Sequence, residues 1–531
     1  MIPADTAVLK SPLSTSRVTS PTPTLKWALS GSASATVKLC TNRALTAGCQ
    51  PVTQTGTSAK PNANLAPGVY YWGVSTSRGS SATWEFWVGA VGPSVSVDTS
   101  WGTTLDVNGD GYADFAVAAP GADAVGQVLV TLGGPGALDA GVAESADAGI
   151  GPALTADGGA AFGTSLASAG DVNGDGFADL IVGAPAVASS TGAVYLFLGG
   201  TSGLSTTPTT LGGMNVGDAF GSSVASAGDV NGDGYCDVMI SAPDAAGGRG
   251  KVYVYLGSAS GLGTSPTIFE GGTTSTVLGI AVASAGDVNG DGFGDVLIAS
   301  TGSPSGASSV SLHTGSSSGL SSGIPLVDPE TAVPDADGFG HSIAGAGDVN
   351  GDGYADVVIG APFGTCNAGS EFGCVYVYVG ASNAGTSGLS LLATIPGPQS
   401  SSYFGSSVAG AGDVNGDGLG DIVVGAPQAN SGQGYAYVYE GSFPSSTSFV
   451  IMGPAFDTNQ LGSAVAGAGD VNGDGFSDVI IGSPGAVSGD GLAQIFPGGL
   501  NGVDVSAPQG YSEASAAYGD DFGAALCGAT N

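Results

Sequence analysis

The chain has 531 residues, of which 96 are glycine and only 10% are charged, and its formal net charge is −35. Residues 1–98 hold seven of the nine basic residues and three acids, a net charge of +4, whereas residues 99–531 hold two basic residues against 41 acids, −39. This balance argues against nucleic acid or an anionic membrane surface as a partner. No apolar run of 18 residues occurs, so we predict no transmembrane helix in this sequence.

Residues 1–98 are predicted to form a small β domain. Alternating apolar residues predict strands at 24–29, 35–40, 68–74 and 83–88, and four of the five tryptophans of the chain lie in this part. The segment Leu65–Trp72 resembles a fibronectin type III or related immunoglobulin-like sandwich. A stretch rich in Gly, Pro and Ser, Gly89–Ser96, links this domain to the rest. We interpret the domain as a passive spacer rather than as a second binding site.

A nine-residue motif dominates residues 99–531. The pattern Asp-Val-Asn-Gly-Asp-Gly-x-x-Asp starts at residues 106, 171, 229, 287, 348, 413 and 470, and position 7 is aromatic in every copy except the sixth. Positions 1, 3, 5 and 9 carry side-chain oxygens, and position 7 offers a backbone carbonyl. Calcium takes six to eight oxygen ligands in a forgiving geometry, whereas Mg²⁺ keeps its waters and zinc prefers His and Cys. Repeated three-carboxylate loops therefore predict up to seven structural calcium ions rather than plain hairpin turns.

The predicted calcium ligands occupy the same five positions in each loop. They are Asp106, Asn108, Asp110, Tyr112, Asp114; Asp171, Asn173, Asp175, Phe177, Asp179; Asp229, Asn231, Asp233, Tyr235, Asp237; Asp287, Asn289, Asp291, Phe293, Asp295; Asp348, Asn350, Asp352, Tyr354, Asp356; Asp413, Asn415, Asp417, Leu419, Asp421; and Asp470, Asn472, Asp474, Phe476, Asp478.

The loops recur every 57–65 residues, a period typical of arrays and propellers. In the second copy, strands are predicted before the loop, at 180–185, at 193–199 and before the next Phe-Gly, so each period supplies four short strands, as in a propeller blade. No segment has the pattern of a long amphipathic helix.

The motifs together resemble the FG-GAP repeat of integrin α subunits. Phe162-Gly163 precedes the second loop and Gly183-Ala184-Pro185 follows it, and related pairs flank the later loops, although the fourth period is degenerate at Leu278-Gly279. The resemblance covers residues from about 100 to the end. It implies an all-β fold: a seven-bladed propeller at 99–531, preceded by the sandwich at 1–98.

The two ends of the repeat region are predicted to complete one blade. The first loop has Val97 where a Phe-Gly would begin, and residues 522–531 read as a first strand that stops where a calcium loop would start. We expect the strand at 522–531 to pair with the blade begun by residues 101–150. This pairing would close the ring and leave no open sheet edge.

The six cysteines indicate an oxidising compartment. Cys40 with Cys49 and Cys366 with Cys374 flank short loops and suggest local disulfides, whereas Cys236 and Cys527 have no evident partner. Disulfides and numerous calcium loops favour a secreted or cell-surface protein. Residues 1–5 lack a signal-peptide pattern, so we expect a secretory signal to have been removed.

The sequence favours a binding protein over an enzyme. It has two histidines, His313 and His341, interpreted as packing or surface residues, and no nucleophile, zinc-protease or phosphate-loop motif. The family resemblance implies adhesion or recognition of an extracellular protein, on the face opposite the calcium loops. Candidates there are 244–251 and 363–373, with ligand contacts at Arg249, Lys251, Phe363, Glu371 and Phe372.

Two other functions remain open. Some fungal seven-bladed lectins have integrin-like propellers, which makes a glycan ligand the main alternative; an accessory domain of a hydrolase or lyase is a weaker one. The sequence departs from integrin α subunits because all seven blades carry a calcium loop, and because neither an inserted metal domain nor leg domains are present. An integrin β subunit is therefore not expected as a partner.

Overall fold

A computed structural model of the chain describes most of its residues. The described ranges are 7–11, 16–18, 22–29, 34–66, 68–77, 79–81, 83–88, 104–122, 126–134, 149–150, 161–272, 276–302, 308–330, 337–366, 372–443, 448–453, 459–486, 490–506, 508–511 and 520–528. Strands dominate throughout, and the all-β prediction is confirmed.

The N-terminal domain consists of two sheets around a shared core. Its strands are Ala7–Ser11 (β1), Ser16–Val18 (β2), Leu25–Leu29 (β3), Thr36–Cys40 (β4), Val52–Thr55 (β5), Ser58–Pro61 (β6), Gly68–Thr76 (β7), Gly79–Ser80 (β8) and Trp84–Val88 (β9). One sheet has the order β1-β3-β6-β5 and the other β2-β9-β7-β4, with β8 on β7. Trp27 from the first sheet and Trp72 from the second lie in one buried cluster. The four predicted strands are thus confirmed, and assignment to the immunoglobulin or fibronectin III class stays a prediction.

The repeat region forms seven four-stranded antiparallel sheets. The strands of sheets 1 to 4 are Phe115–Ala119 (β10), Gln127–Thr131 (β11) and Gly149–Ile150 (β12); Ser165–Gly170 (β13), Asp179–Ala184 (β14), Ala193–Phe197 (β15) and Thr209–Gly212 (β16); Val224–Gly228 (β17), Asp237–Ala242 (β18), Lys251–Tyr255 (β19) and Thr267–Glu270 (β20); and Thr276–Gly286 (β21), Asp295–Gly302 (β22), Ser309–His313 (β23) and Ile324–Leu326 (β24).

The strands of sheets 5 to 7 are Ser342–Gly347 (β25), Asp356–Ala361 (β26), Cys374–Val379 (β27) and Ser390–Pro396 (β28); Ser407–Gly412 (β29), Asp421–Ala426 (β30), Tyr435–Tyr439 (β31) and Ser448–Met452 (β32); and Ala464–Gly469 (β33), Asp478–Ser483 (β34), Leu492–Phe496 (β35) and Gln509–Tyr511 (β36). The last strand, Ala525–Cys527 (β37), belongs to sheet 1, whose order is β12-β11-β10-β37.

Residue size sorts the strands within each sheet. The first strands are rich in Ala, Gly and Ser, as in SVAGAG of β29, and small side chains suit strands that crowd together. The second strands are continuous apolar runs such as DIVVGA of β30, in which every residue is buried. A strand flanked by two others and covered on both faces is expected to lose the alternation of apolar and polar residues.

The first strand of each sheet, which is β37 in sheet 1, contacts the first strand of the next sheet. β13 contacts β17, and the series continues through β21, β25, β29 and β33 to β37, which also contacts β13. Residues from all seven line a common cavity of about 170 Å³: Leu166, Val224, Val282, Ile343, Ala409, Val465 and Leu526. The predicted pairing of the C-terminal strand is confirmed, because Ala116, Val117 and Ala118 of β10 pair with Cys527, Leu526 and Ala525.

The phenylalanine of each Phe-Gly pair anchors its sheet. Phe162 is 1% exposed, and its ring lies 5.5 Å from that of Tyr195, edge to face. Phe404 and Tyr437 repeat this contact at 5.4 Å. Aromatic rings buried edge to face add about 0.5–1.5 kcal/mol to the gain from burial alone. The repeated Phe-Gly is therefore a packing signal.

The α-helical segments in the described ranges are four-residue turns: Val187–Ser190 (α1), Ala245–Gly248 (α2), Ala384–Ser387 (α3) and Ala429–Gly432 (α4). Among the described residues, no helix has the length and apolar character needed to cross a membrane.

Candidate metal loops and the opposite face

Each nine-residue loop, numbered 1 to 7 with its sheet, is wrapped around its first aspartate. In loop 2, Asp171 Oδ1 accepts hydrogen bonds from the N–H groups of Gly174 (2.6 Å) and Asp175 (3.1 Å), and Oδ2 accepts one from Gly176 (2.8 Å). Asn173 Oδ1 accepts from the N–H of Asp175 at 2.9 Å. The motif thus fixes its own backbone before any ligand is considered, since Asp and Asn side chains readily bond nearby amides.

The ninth-position aspartate has a structural role that the sequence did not reveal. Asp179 is fully buried; its Oδ2 accepts from the N–H of Val172 at 2.9 Å, and its Oδ1 from that of Gly199 at 2.8 Å. Gly199 lies just after β15. The same two bonds occur in all seven sheets. This residue therefore fastens each loop to the end of its third strand.

The carboxylates of a loop oppose one another electrostatically. Burial, followed by the charge of Asp106, raises the pKa of Asp114 well above its ordinary value. Burial likewise raises the pKa of Asp179 to about 7 and those of Asp237 and Asp356 to about 8. A nearby cation would relieve the cost of ionising these groups.

The donor set fits a hard cation, although the ligand geometry is not displayed. In the described part of the chain, no three His, Cys, Asp or Glu side chains are gathered in an arrangement that could hold a metal ion, and the carboxylate oxygens accept amide hydrogen bonds. Carboxylate, amide and carbonyl oxygens without any nitrogen or sulfur donor are nevertheless the set that Ca²⁺ prefers. The all-oxygen donor set thus favours a hard cation such as Ca²⁺ over metal ions that prefer nitrogen or sulfur ligands.

The seven loops are hydrogen-bonded to one another in sequence. The N–H of Ala178 in loop 2 donates to the carbonyl of Asp106 in loop 1 at 3.1 Å, and the equivalent bond joins each later loop to the one before it. The series returns to its start, because Ala113 in loop 1 donates to the carbonyl of Asp470 in loop 7, also at 3.1 Å. The loops are thus continuous through their backbones.

Side chains strengthen this connection. A Cβ at Gly109, position 4 of loop 1, would lie 2.7 Å from Cε1 of Phe177, position 7 of loop 2. Such contacts of position 4 with the next loop's position 7 occur at six of the loops: Gly109–Phe177, Gly174–Tyr235, Gly232–Phe293, Gly351–Leu419, Gly416–Phe476 and Gly473–Tyr112. The recurring aromatic at position 7 is the sequence signal of this contact, in addition to the carbonyl that the same position offers to calcium.

The predicted cationic contacts on the opposite face are occupied within their own sheet. Arg249 forms an ion pair with Glu270, and Lys251 Nζ lies 3.4 Å from Glu270 Oε2. Glu371 lies outside the described residues. Phe372 is partly buried, and its carbonyl accepts a hydrogen bond from Ser402 at 3.2 Å.

Phe363 is exposed and has two aromatic neighbours. Its ring centroid lies 6.0 Å from that of His341 and 5.5 Å from that of Tyr403, edge to face in both cases. Phe363 and Tyr403 are 42% and 43% exposed. Tyr403 adopts a φ of 54°, as do the equivalent residues before other Phe-Gly pairs, such as Ala219 at 54° and Asp521 at 55°, so this conformation belongs to the repeated turn. We call His341, Phe363 and Tyr403 the aromatic patch.

The aromatic patch lies at the end of the strands away from the loops. His341 immediately precedes β25, whose other end enters loop 5, and Phe363 follows β26, which leaves that loop. A six-residue strand spans roughly 20 Å. The patch and the loops therefore occupy opposite faces.

The remaining cysteines and the second histidine are packed inside. Both predicted disulfides, Cys40–Cys49 and Cys366–Cys374, are present, whereas Cys236 and Cys527 are buried thiols. Burial raises the pKa of Cys527 to about 12, so its thiol stays protonated. His313 is buried, and its Nδ1 lies 3.0 Å from the carbonyl oxygen of Ser321. These residues serve packing, as predicted for the histidine.

Comparison with known proteins identifies the repeat. The FG-GAP repeat family model matches residues 99–133, 162–197, 220–255, 278–313, 339–378, 404–439 and 461–496. Integrin alpha-IIb from Mus musculus is 37% identical over 154 residues, 27% of this chain and 15% of that protein. Integrin alpha-7 from Homo sapiens is 38% identical over 151 residues, 28% of this chain and 12% of that protein. The chain thus spans less than a fifth of either relative.

A solved protein from Lactobacillus plantarum covers 78% of this chain and 98% of its own length, at a TM-score of 0.45 and 10% identity.

Proposed function

The chain belongs to the FG-GAP repeat family and is integrin-α-like, and from that premise we propose that it is an extracellular binding module. In this proposal, residues 99–531 close into a seven-bladed propeller, calcium holds the loop face, and the opposite face recognises an adhesion or other extracellular protein ligand.

The loop-to-loop hydrogen bonds are the observation that carries the proposal. Seven equivalent bonds run from each loop to the preceding one and return from loop 1 to loop 7. The pairing of β37 with β10 supports the same closure. A ring fixed in this way suits a rigid scaffold, and binding residues commonly lie on the loops that such a scaffold positions.

Calcium is proposed as a structural ion rather than as the means of ligand contact. In loop 1 the ligands would be the side-chain oxygens of Asp106, Asn108, Asp110 and Asp114 with the carbonyl of Tyr112, and the other loops would use the same positions. The bound ion would offset the carboxylate charge that makes residues 99–531 so acidic. Two disulfides support an oxidising, extracellular location.

The aromatic patch is the proposed centre of the ligand surface. Exposed aromatic side chains contribute large contact areas; Tyr and Phe are both enriched at interfaces, and Tyr is among the residues that dominate binding energies. Recognition is placed there rather than at Arg249 and Lys251, because the charges of those two residues are already paired with Glu270.

An array of extracellular matrix proteins and glycans, probed with the full chain with and without chelator, tests this function. We expect a protein ligand, and we expect the Phe363→Ala/Tyr403→Ala variant to bind it about tenfold or more weakly, the loss typical of a hot-spot residue. Leu500→Ala is the matched control, since Leu500 is 75% exposed and lies near the loop face. Equal losses in both variants would remove the patch from the proposal.

A glycan ligand is the second candidate, because an exposed aromatic cluster also suits stacking against sugar rings. Binding to glycans but not to proteins on the same array, lost in the aromatic variant, would favour this lectin function. Retained binding of either ligand in that variant would place recognition elsewhere on the face.

A further inference from the structure

Arg43 of the N-terminal sandwich lies in a restrained loop between Cys40 and Cys49. The disulfide joins the two ends of the loop. Asn42 Oδ1 accepts hydrogen bonds from the N–H groups of Thr46 at 2.9 Å and Ala47 at 2.8 Å. Closing a loop in this way reduces the conformations open to it. Arg43 therefore extends from a backbone that is already restrained.

The guanidinium of Arg43 contacts loop 7. Its Nη2 donates a hydrogen bond to the carbonyl of Gly475 at 2.7 Å, and its Cζ lies 4.1 Å from the ring centroid of Phe476. These are positions 6 and 7 of the loop. Burial raises the pKa of Asp474, at position 5, and the charge of Arg43 opposes that shift. One side chain of the sandwich thus contacts two successive residues of a proposed calcium loop and acts electrostatically on a third.

Other sandwich residues extend the contact to loop 6. A Cβ at Gly418 would lie 3.1 Å from Val69 Cγ2 and 3.5 Å from the Tyr71 hydroxyl oxygen, and one at Gly475 would lie 2.6 Å from the carbonyl oxygen of Thr83. Arg43 Cζ also lies 5.6 Å from the Tyr71 ring centroid. The guanidinium is thus within cation–π distance of aromatic rings from both domains.

From these contacts we propose that the sandwich is a calcium-dependent latch: docking of Arg43 on loop 7 and calcium binding to that loop stabilise each other. The proposal rests on the proposed calcium function. It assigns an intramolecular partner to a domain that the sequence suggested was a passive spacer.

The wrapped form of the loop gives the linkage a positive sign. Arg43 contacts the carbonyl of Gly475 and the ring of Phe476, which are presented together only while the loop is wrapped, and a bound cation would favour the wrapped form. Direct repulsion between a bound calcium ion and the guanidinium acts in the opposite direction, and we expect the effect of loop wrapping to exceed it. By thermodynamic reciprocity, whatever calcium adds to docking, docking adds to calcium affinity.

Hydrogen–deuterium exchange of the full chain at stepped free calcium concentrations tests the latch. The readouts are peptides covering loop 7, residues 470–478, and loop 2, residues 171–179, within the same molecule. In Arg43→Gln we expect loop 7 to need about fivefold more calcium for half-maximal protection, the lower end of typical couplings. Loop 2 should keep its calcium midpoint in this variant. In the wild-type chain, removing calcium should release the latch, so a protease should cut the segment between the two domains faster. Arg43→Lys keeps the charge and loses the planar fork, so it should fall between.

Matched outcomes distinguish the latch from the calcium function beneath it. Arg249→Gln removes the other arginine charge, at a site paired with Glu270 and away from the loops, and should leave both midpoints unchanged. An unchanged loop 7 midpoint in Arg43→Gln, with calcium still protecting loop 2, would overturn the latch alone. If calcium protected neither loop in the wild-type chain, the proposed calcium function itself would fail.

Discussion

The two ends of the same strands obey different rules. At the loop end, all seven sheets repeat the same hydrogen bonds from backbone N–H groups to the first and ninth aspartates, and the same bond to the preceding loop. At the other end, the Phe-Gly turn is repeated, with its Gly N–H bonded to the second strand, but the connections around it differ from sheet to sheet. Asp218 accepts from Asn215 in one, Asp337 accepts from the N–H of Phe339 in another, and sheet 5 carries the aromatic patch.

This difference separates stability from recognition. A loop that must bond its own backbone, its third strand and both neighbouring loops satisfies so many conditions that its sequence can hardly vary. The connections at the opposite end join strands that are already paired, so their sequence is free to serve a ligand. Removing the metal loops or the buried Phe-Gly anchors should therefore destabilise the molecule, whereas changing the exposed connections opposite the loops should change only what it binds.

Calcium removal should have the largest effect on the loop end. An ion held at 100 times its Kd adds about 2.7 kcal/mol to the free energy of unfolding per site, so chelation should lower Tm far more than any single substitution. Differential scanning calorimetry with calcium or with excess chelator, at matched ionic strength, measures this. Matched salt matters because screening alone weakens repulsion among exposed carboxylates.

Two controls sharpen that measurement. Readdition of calcium should restore Tm, and magnesium should restore it less well, since it demands stricter geometry and keeps its waters. A Tm that is the same with calcium and with chelator would mean that amide hydrogen bonds alone hold the loops, and the structural role of calcium would be lost.

Removal of residues 520–531 should have the next largest effect. It exposes the neighbours of Phe522 and Cys527, which are 1% and 3% exposed, and it leaves β10 as an open edge. Truncating one buried Phe alone costs about 3–5 kcal/mol, so we expect a loss of at least that size in denaturant unfolding. Removing only 529–531 is the control and should be neutral. Equal stability of the two truncations would show that β37 does not close the ring.

The sequence predicted the parts of the repeat that are local. The loops, the Phe-Gly anchors and both disulfides follow from residues close together in the chain, and the C-terminal strand follows from counting what each period lacks. The hydrogen bond that the N–H of Gly199 donates to Asp179, 20 residues away, depends on how three strands align. The contact of Phe177 with Gly109 depends on how two sheets pack, and the sequence of a single repeat does not contain that information. Arg43 gave no repeat signal at all, because its partner is one loop among seven.

The smallest of these effects isolates the coupling between loops, and two glycines of loop 2 measure it. Gly174 and Gly176 adopt φ values of 74° and 91°, both in the left-handed region, where a Cβ costs roughly 1–2 kcal/mol. A Cβ at Gly174 would lie 2.7 Å from Cε1 of Tyr235 in loop 3, whereas none of the surrounding atoms lies within 4 Å of a Cβ at Gly176.

Gly176→Ala should therefore cost only the backbone strain. Gly174→Ala should cost that strain and about 1–3 kcal/mol more, because the ring of the next loop must move. Denaturant unfolding of the two variants in calcium measures the difference between their costs. When Gly174→Ala is added to the Tyr235→Ala variant, its extra cost should largely disappear, since the removed ring leaves space for the new methyl group. Equal costs for the two glycines would mean that each loop is held by its own sheet, and that the ring of loops adds no packing energy beyond its backbone bonds.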